Sequence, residues 1–156
     1  MEIKGDKPED ELYKGRISYL LGENKDAISY LEKAKEHKQM LASYYLGLAY
    51  DANGDSDKAK KCIAEYIKSG VATSYDLYEL GMQEMQDGNY KNALTYFNSG
   101  LELEKVPNKQ NLMKSAIAAY EYSGDFDSAK KMMKEYLKAY PDDEEAKHEN
   151  TFLETR

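Results

Sequence analysis

The sequence predicts an all-α fold made of about four repeated helix-turn-helix units, because one pattern recurs along the chain. A glycine that ends a first helix is followed five residues later by an alanine in a second helix. This pair occurs at Gly22 and Ala27, Gly54 and Ala59, Gly88 and Ala93, and Gly124 and Ala129. The successive glycines are 32, 34 and 36 residues apart. A period in this range is typical of helical repeat proteins, in which each unit buries its apolar face against its neighbours.

The clearest copy of the pattern lies at residues 46–59. Gly47 is expected to let the two helices of the unit approach closely, where a larger side chain would collide. Gly54 suits the left-handed residue that ends a helix, and Asp55 then stands where it can cap the next one. The same position after later turn glycines is taken by Asn89 and Asp125.

This pattern resembles the tetratricopeptide repeat family over roughly residues 8–143. The resemblance rests on Leu46-Gly47-x-x-Tyr50, Leu80-Gly81, Tyr120 and the four glycine–alanine pairs. It implies a right-handed α-α superhelix, or solenoid, in which the first helices of successive repeats line a concave groove. We expect repeats at about 8–39, 40–73, 74–109 and 110–143.

The two ends of the array carry their own expectations. Residues 1–7 are predicted to form a polar lead, and residues 144–156 a helix that covers the last repeat through Ala146, Phe152 and Leu153. A first repeat has no predecessor, so its outer face should be polar, as Glu11 and Lys14 indicate.

The third repeat is predicted to place Phe97 in the core. Gly100, in the middle of its second helix, indicates a close contact with the next repeat, since alanine would be favoured there by about 1 kcal/mol. Pro107 is expected to stop this helix.

The charge balance argues against nucleic acid as a partner. The chain has 22 basic and 29 acidic residues, for a net charge of −7, and no basic run stands out, so we do not expect nucleic acid as a partner.

No apolar run approaches the roughly 18 residues of a membrane span. The single Cys62 excludes an internal disulfide and favours a reducing, cytoplasmic location, although an exported protein whose signal segment has been removed would look the same.

Patterns that would support catalysis or metal binding are incomplete, so we expect no enzyme activity, cofactor or metal. His148-Glu149 begins like a zinc-protease helix, but Phe152 stands where the second histidine is required. The alternating oxygens of residues 51–57 suggest a calcium loop, but Ser56 replaces its glycine and Cys62 its bidentate glutamate. Cys62 has no histidine base assigned to it and is expected to be a buried structural thiol.

The resemblance places the probable site on the concave groove. Counting along the first helices gives the candidate groove residues Arg16, Tyr19, Leu41, Tyr44, Leu48, Tyr75, Tyr78, Met82, Met85, Lys114 and Tyr122. The basic clamp by which chaperone-binding members hold a terminal carboxylate is absent, because Arg16 is the only basic residue at its positions.

One stripe in this set carries the functional prediction. Tyr75, Tyr78, Met82 and Met85 step by three, four and three, so they share a helical face opposite Leu77 and Leu80. We expect this stripe to be exposed in the free protein and to bind a partner, although packing against neighbouring helices would explain tyrosine and methionine equally simply.

The sequence therefore predicts a non-catalytic protein–protein interaction module that holds an apolar or aromatic-bearing peptide or partner helix in its groove. The first alternative is a structural part that self-associates as a homo-oligomer. The second alternative is that the repeats belong to a larger exported or lipid-anchored protein.

Overall fold

The helices of the protein follow one another with short connections. The computed structural model describes residues 7–156, with Pro8 described only through its backbone. The predicted polar lead therefore lies outside the described residues, apart from Lys7. Within residues 7–156 the regular elements are α1 (Pro8–Leu20), α2 (Asn24–Glu36), α3 (Met40–Ala52), α4 (Ser56–Lys68), α5 (Ser74–Gln86), α6 (Tyr90–Leu101), α7 (Lys109–Ser123), α8 (Phe126–Ala139) and α9 (Glu144–Leu153).

These helices form two compact units, with the boundary in the chain between Ala72 and Thr73. In the first unit α1 packs on α2, α2 on α3 and α3 on α4. In the second unit each of α5 to α8 packs on the helix that follows it. The prediction of an all-α fold built from helix-turn-helix repeats is confirmed. The four repeat boundaries remain a prediction.

Small residues bring the two helices of a repeat together. A Cβ atom built on Gly81 of α5 would lie 2.2 Å from the Phe97 ring of α6, and Phe97 is fully buried. Gly47 of α3 meets Ile63 of α4 in the same way, at 2.6 Å. Each glycine therefore makes room for a large apolar side chain of the second helix, as the sequence predicts for Gly47.

Two predictions concern the connection between α6 and α7, and one of them is confirmed. A Cβ atom on Gly100 would lie 3.1 Å from Leu112 of α7, so the predicted close contact with the next repeat is confirmed. The prediction that Pro107 stops the helix is wrong, because α6 already ends at Leu101. The buried Asn108 side chain instead fastens the connection, donating a hydrogen bond of 3.1 Å to the carbonyl of Ser74.

The predicted helix caps are formed only in part. Gly54 has a φ of +86°, as its place in the turn requires. Asp125 accepts a hydrogen bond from the backbone of Ser128 and caps α8. Asp55 and Asn89 occupy the corresponding positions without making such a bond.

The first helix contradicts the prediction of a polar outer face. Glu11 and Lys14 are half-buried and lie 3.9 Å apart as an ion pair. Besides Glu9, the exposed residues described for α1 are apolar: Tyr13 is 55% exposed, Ile17 38% and Leu20 75%. These three residues share one helical face, since they are separated by four and three positions. We call them the α1 stripe.

The last helix covers the end of the last repeat, as predicted. Ala146 and Leu153 of α9 are buried in one cluster with Met133 and Tyr136 of α8. Phe152 contradicts the expectation and is 46% exposed, with the Arg156 guanidinium 4.7 Å above its ring. None of the helices described for residues 7–156 is both long and apolar enough to cross a membrane.

Candidate partner-binding faces

The predicted groove residues of the first unit lie where α1 approaches α3, and aromatic rings fill this face. The Arg16 guanidinium lies 4.9 Å from the centre of the Tyr45 ring. Tyr19 meets the same ring edge-on at 6.3 Å, and Tyr44 does so at 5.2 Å. A cation over a ring and edge-on ring pairs are each favourable, so these side chains satisfy one another.

The remaining groove candidates of the first unit are also partly or wholly covered. Leu41 and Leu48 are half-buried. Tyr44 is buried, and its ring lies 5.2 Å from the Tyr66 ring of α4. The Tyr44 ring thus contacts both the Tyr45 ring of its own helix and the second helix of its repeat, and its role in the groove remains a prediction.

The stripe of α5 is exposed at one end only. Tyr75 is 56% exposed, whereas Tyr78, Met82 and Met85 are half-buried against the cluster around Phe97 and Leu112. The expectation that the whole stripe is exposed is wrong for these three residues, because they pack against a cluster formed by α6 and α7. The Ser115 hydroxyl of α7, for example, donates to the Met82 sulfur at 3.6 Å.

Lys114 of α7 is engaged by the connection to α9 and by α9 itself. Its ammonium group lies 2.9 Å from Asp143 and 3.2 Å from Glu145, and the bond to Asp143 is the main cause that raises the pKa of Lys114. Asp143 also accepts a hydrogen bond of 2.5 Å from the Tyr136 hydroxyl. This bond, together with that from Lys114, holds the pKa of Asp143 below its usual range. Lys114 thus helps to fasten the start of α9.

Tyr122, near the end of α7, is 68% exposed. Its ring stacks on the Tyr90 ring at 5.4 Å, with 17° between their planes. Since Tyr90 is the first residue of α6, the contact runs to a second helix and not to a neighbouring first helix.

A cleft that the sequence did not indicate opens between α7, α8 and α9. The backbones of the first helices of neighbouring repeats come close at α1–α3 and at α5–α7, but those of α7 and α9 stay farther apart and are bridged by the Lys114–Glu145 ion pair. The resulting space has a volume of about 230 Å³. Its walls are Lys114, Ile117, Ala118 and Glu121 of α7, Met133 and Tyr136 of α8, and Glu145, Ala146 and Glu149 of α9.

The two ends of this cleft differ in charge. At one end Lys114 is neutralised by Asp143 and Glu145. At the other end stand Glu121 and Glu149, which form no ion pair with any residue of the described chain. The Glu121 Oε1 atom is shielded from solvent and has no hydrogen-bond partner within residues 7–156. Burial, the charge of the neighbouring Glu149 carboxylate and a hydrogen bond between the two carboxyl groups raise the pKa of Glu121 to about 7.

The Cys62 thiol and the ion pair beside it are placed as structural groups and not as reactive ones. Cys62 is buried, and burial raises the pKa of its thiol, which makes it a poorer nucleophile. Beside it lies a pair formed by Lys35 and Glu65. Within the part of the chain that the structure describes, no three histidine, cysteine or acidic side chains are grouped as metal ligands would be.

Comparison with known families agrees with the helical pairs. Residues 41–69 and 110–143 each match the family model described as tetratricopeptide repeat. The first segment covers much of α3 and α4, and the second covers α7 and α8. No protein of curated function matches the sequence significantly.

Solved structures of low sequence identity share the fold. A structure described as the MamA RS-1 ArsTM double mutant has a TM-score of 0.65 at 18% identity, covering 97% of this chain and 85% of its own. YrrB, described as a TPR protein with an unusual peptide-binding site, has a TM-score of 0.61 at 19% identity, covering 92% and 74%. A putative kinesin light chain with TPR-like repeats from Podosopora anserina has a TM-score of 0.60 at 15% identity, covering 96% and 87%.

Proposed function

We propose, from the premise that this chain is a tetratricopeptide repeat protein, that it is a non-catalytic interaction module. It holds a peptide or helix of a partner protein against the first helices of its second unit. Proteins of this family commonly bind protein partners, and YrrB, which shares the fold, is described as having a peptide-binding site.

The proposal rests on what is exposed on the surface formed by the first helices of the second unit. Tyr75 is 56% exposed at the start of α5, and the cleft lined by α7 remains unfilled. An exposed tyrosine offers a large apolar surface and a hydroxyl that tolerates water, which suits a contact that waits for a ligand. A concave, largely apolar space with a few polar groups is the usual form of a binding site.

The test uses Tyr75→Ala, with Tyr13→Ala as the matched control. The two tyrosines are almost equally exposed, at 56% and 55%, but they lie in different units. A library of random peptides is selected on the whole protein, and the affinity of the enriched peptides is measured for each variant. We expect Tyr75→Ala to weaken binding by about 2 kcal/mol, as truncated hot spots do, and Tyr13→Ala to leave it unchanged.

Both substitutions remove an exposed side chain, so both variants should keep the stability of the parent to within about 0.5 kcal/mol. Equal affinities for the parent and Tyr75→Ala would place the binding surface elsewhere. A library without any enriched peptide would contradict the proposed function itself.

A second candidate function is self-association, and the α1 stripe is the observation that favours it. Tyr13, Ile17 and Leu20 are exposed on one face of a helix at the start of the array. Two copies of such a face bury each other in a symmetric dimer. Sedimentation over a dilution series would then show a dimer that Leu20→Lys converts to monomer, whereas a monomer at every concentration would refute this candidate.

We infer no catalytic role, since no complete set of catalytic side chains emerges from the described residues. A net charge of −7 argues against nucleic acid as the partner. The single, buried Cys62 favours a reducing compartment such as the cytoplasm.

A further inference from the structure

The cleft between α7, α8 and α9 supports an inference that rests on the proposed function and narrows its partner. We propose that the cleft receives a lysine or arginine side chain of the bound protein, with the methylene stem on the apolar walls and the cationic head at Glu121 and Glu149.

The shape of the cleft fits a side chain of this kind. Ile117 and Met133 provide apolar wall, and Ala118 and Ala146 leave the space open because their side chains are short. A volume of about 230 Å³ is large enough for one long side chain. Lysine and arginine bury their aliphatic stems along apolar surface while their heads stay at polar groups, so they match walls of this composition.

The distribution of charge selects a cation. Lys114 already has Asp143 and Glu145 as partners, at 2.9 and 3.2 Å. Glu121 and Glu149 have no cation within ion-pair distance among residues 7–156, although they stand side by side at the other end of the cleft. An incoming ammonium or guanidinium group would supply the missing positive charge and a donor for the buried Glu121 Oε1 atom.

The arrangement of Glu121 and Glu149 costs free energy in the free protein, as we expect of a site that binds a ligand. A shielded carboxylate oxygen without a hydrogen bond loses the free energy of hydration without compensation. The pKa of about 7 for Glu121 expresses the same cost, since burial and Glu149 disfavour its charged form. A cation bound beside both carboxylates would relieve this cost.

A protein side chain explains the cleft better than a free metal ion. A divalent ion requires several oxygen ligands that converge on one point, and no group of three candidate ligands occurs within residues 7–156. The apolar walls would also remain unused by an ion. The aliphatic stem of a basic residue uses both parts of the cleft.

The experiment uses a positional-scanning library of amidated peptides, in which each position is fixed in turn as lysine, arginine, norleucine, glutamine or glutamate. Binding of each pool to the whole protein is measured for the parent, for Glu121→Gln and for Glu135→Gln. The last variant is the matched control, since Glu135 is an exposed residue of α8 that does not line the cleft, and its replacement removes the same charge.

We expect one position at which lysine or arginine binds the parent at least tenfold more tightly than norleucine. Glu121→Gln should remove this preference while the other positions keep theirs, and Glu135→Gln should leave it intact. The preference should grow as the pH rises through about 7, when Glu121 ionises in the presence of Lys114, Tyr136, Glu145 and Glu149, the other titratable groups that line the cleft.

The outcomes separate the two proposals. Peptides that bind without a basic preference at any position, or with one that Glu121→Gln leaves unchanged, would overturn the assignment of the cleft and leave the interaction module standing. Pools that bind at no position would contradict both. Folding of Glu121→Gln is checked by its circular dichroism and by the positions whose preferences it retains.

Discussion

The contact between α1 and α3 and the gap between α7 and α9 occupy equivalent places in the repeat pattern, yet one is filled and the other is open. Between α1 and α3, the Tyr19, Tyr44 and Tyr45 rings meet one another within about 6 Å. Between α7 and α9 stand the short side chains of Ala118 and Ala146. The closer approach of α1 to α3 and the larger side chains between them close the first face, whereas the wider spacing of α7 and α9 and their short side chains leave the second open.

The contact between α5 and α7 is intermediate. Its half-buried Tyr78, Met82 and Met85 pack on the core of the second unit, and only Tyr75 stands clear. Methionine adapts its shape to irregular gaps, so this face is closed by flexible side chains and not by stacked rings. The second unit thus contains both a closed face and an open cleft, and the following predictions test that difference.

The largest effect is expected in the closed part of the second unit. Phe97 is fully buried between α5 and α6, so Phe97→Ala should lower the free energy of unfolding by roughly 3–5 kcal/mol through the cavity it leaves. Chemical denaturation measures this loss. Phe152→Ala is the control, because Phe152 is 46% exposed and should lose far less. A loss under about 1 kcal/mol for Phe97→Ala would show that the face is not closed around this ring.

Glu121→Gln should stabilise the free protein in a pH-dependent manner. The folded-state pKa of Glu121, about 7, lies above the roughly 4.3 of a glutamate in the unfolded chain. Protonation of Glu121 therefore favours the folded state, fully below about pH 4.3, and this stabilisation is lost as the pH rises to about 7. The glutamine of the variant cannot ionise and avoids that loss. After allowance for solvent screening, we expect a gain of about 1–2 kcal/mol at pH 8 relative to the parent.

Chemical denaturation at pH 4 and pH 8 measures this difference, with Glu135→Gln as a control that should shift neither value. A variant that gains nothing between the two pH values would show that Glu121 is not held at a cost in the free protein, and its buried oxygen would then give no reason to expect a bound cation.

The fold could be predicted from the sequence because its signals are local and repeat. Gly81 and Phe97 recur in step with Gly47 and Ile63, and each pair reports one helix–helix contact. The groove was harder to predict, because spacing along one helix gives the face of a residue but not what covers that face. Tyr44 and Met82 lie on helices whose neighbours cover them, which only the packing reveals.

The cleft could not be predicted for a related reason. Ala118 and Ala146 are ordinary helix residues in the sequence, and the space they leave depends on the distance between α7 and α9. Glu121 and Glu149 are 28 positions apart, so neither gives a local signal of the other. The α1 stripe, in contrast, has a local signal in the spacing of Tyr13, Ile17 and Leu20, whereas the expectation of a polar outer face rested on Glu11 and Lys14.

The most direct test of the open cleft compares Ala118→Leu with Ala119→Leu by thermal and chemical unfolding. Ala118 lines the cleft, whereas its neighbour Ala119 is fully buried in the core of the same helix. We predict that leucine at 118 fills the open space and leaves the free energy of unfolding within about 0.5 kcal/mol of the parent, while leucine at 119 overpacks the core and lowers it by about 1–3 kcal/mol. Equal losses for the two variants would contradict an open cleft between α7 and α9.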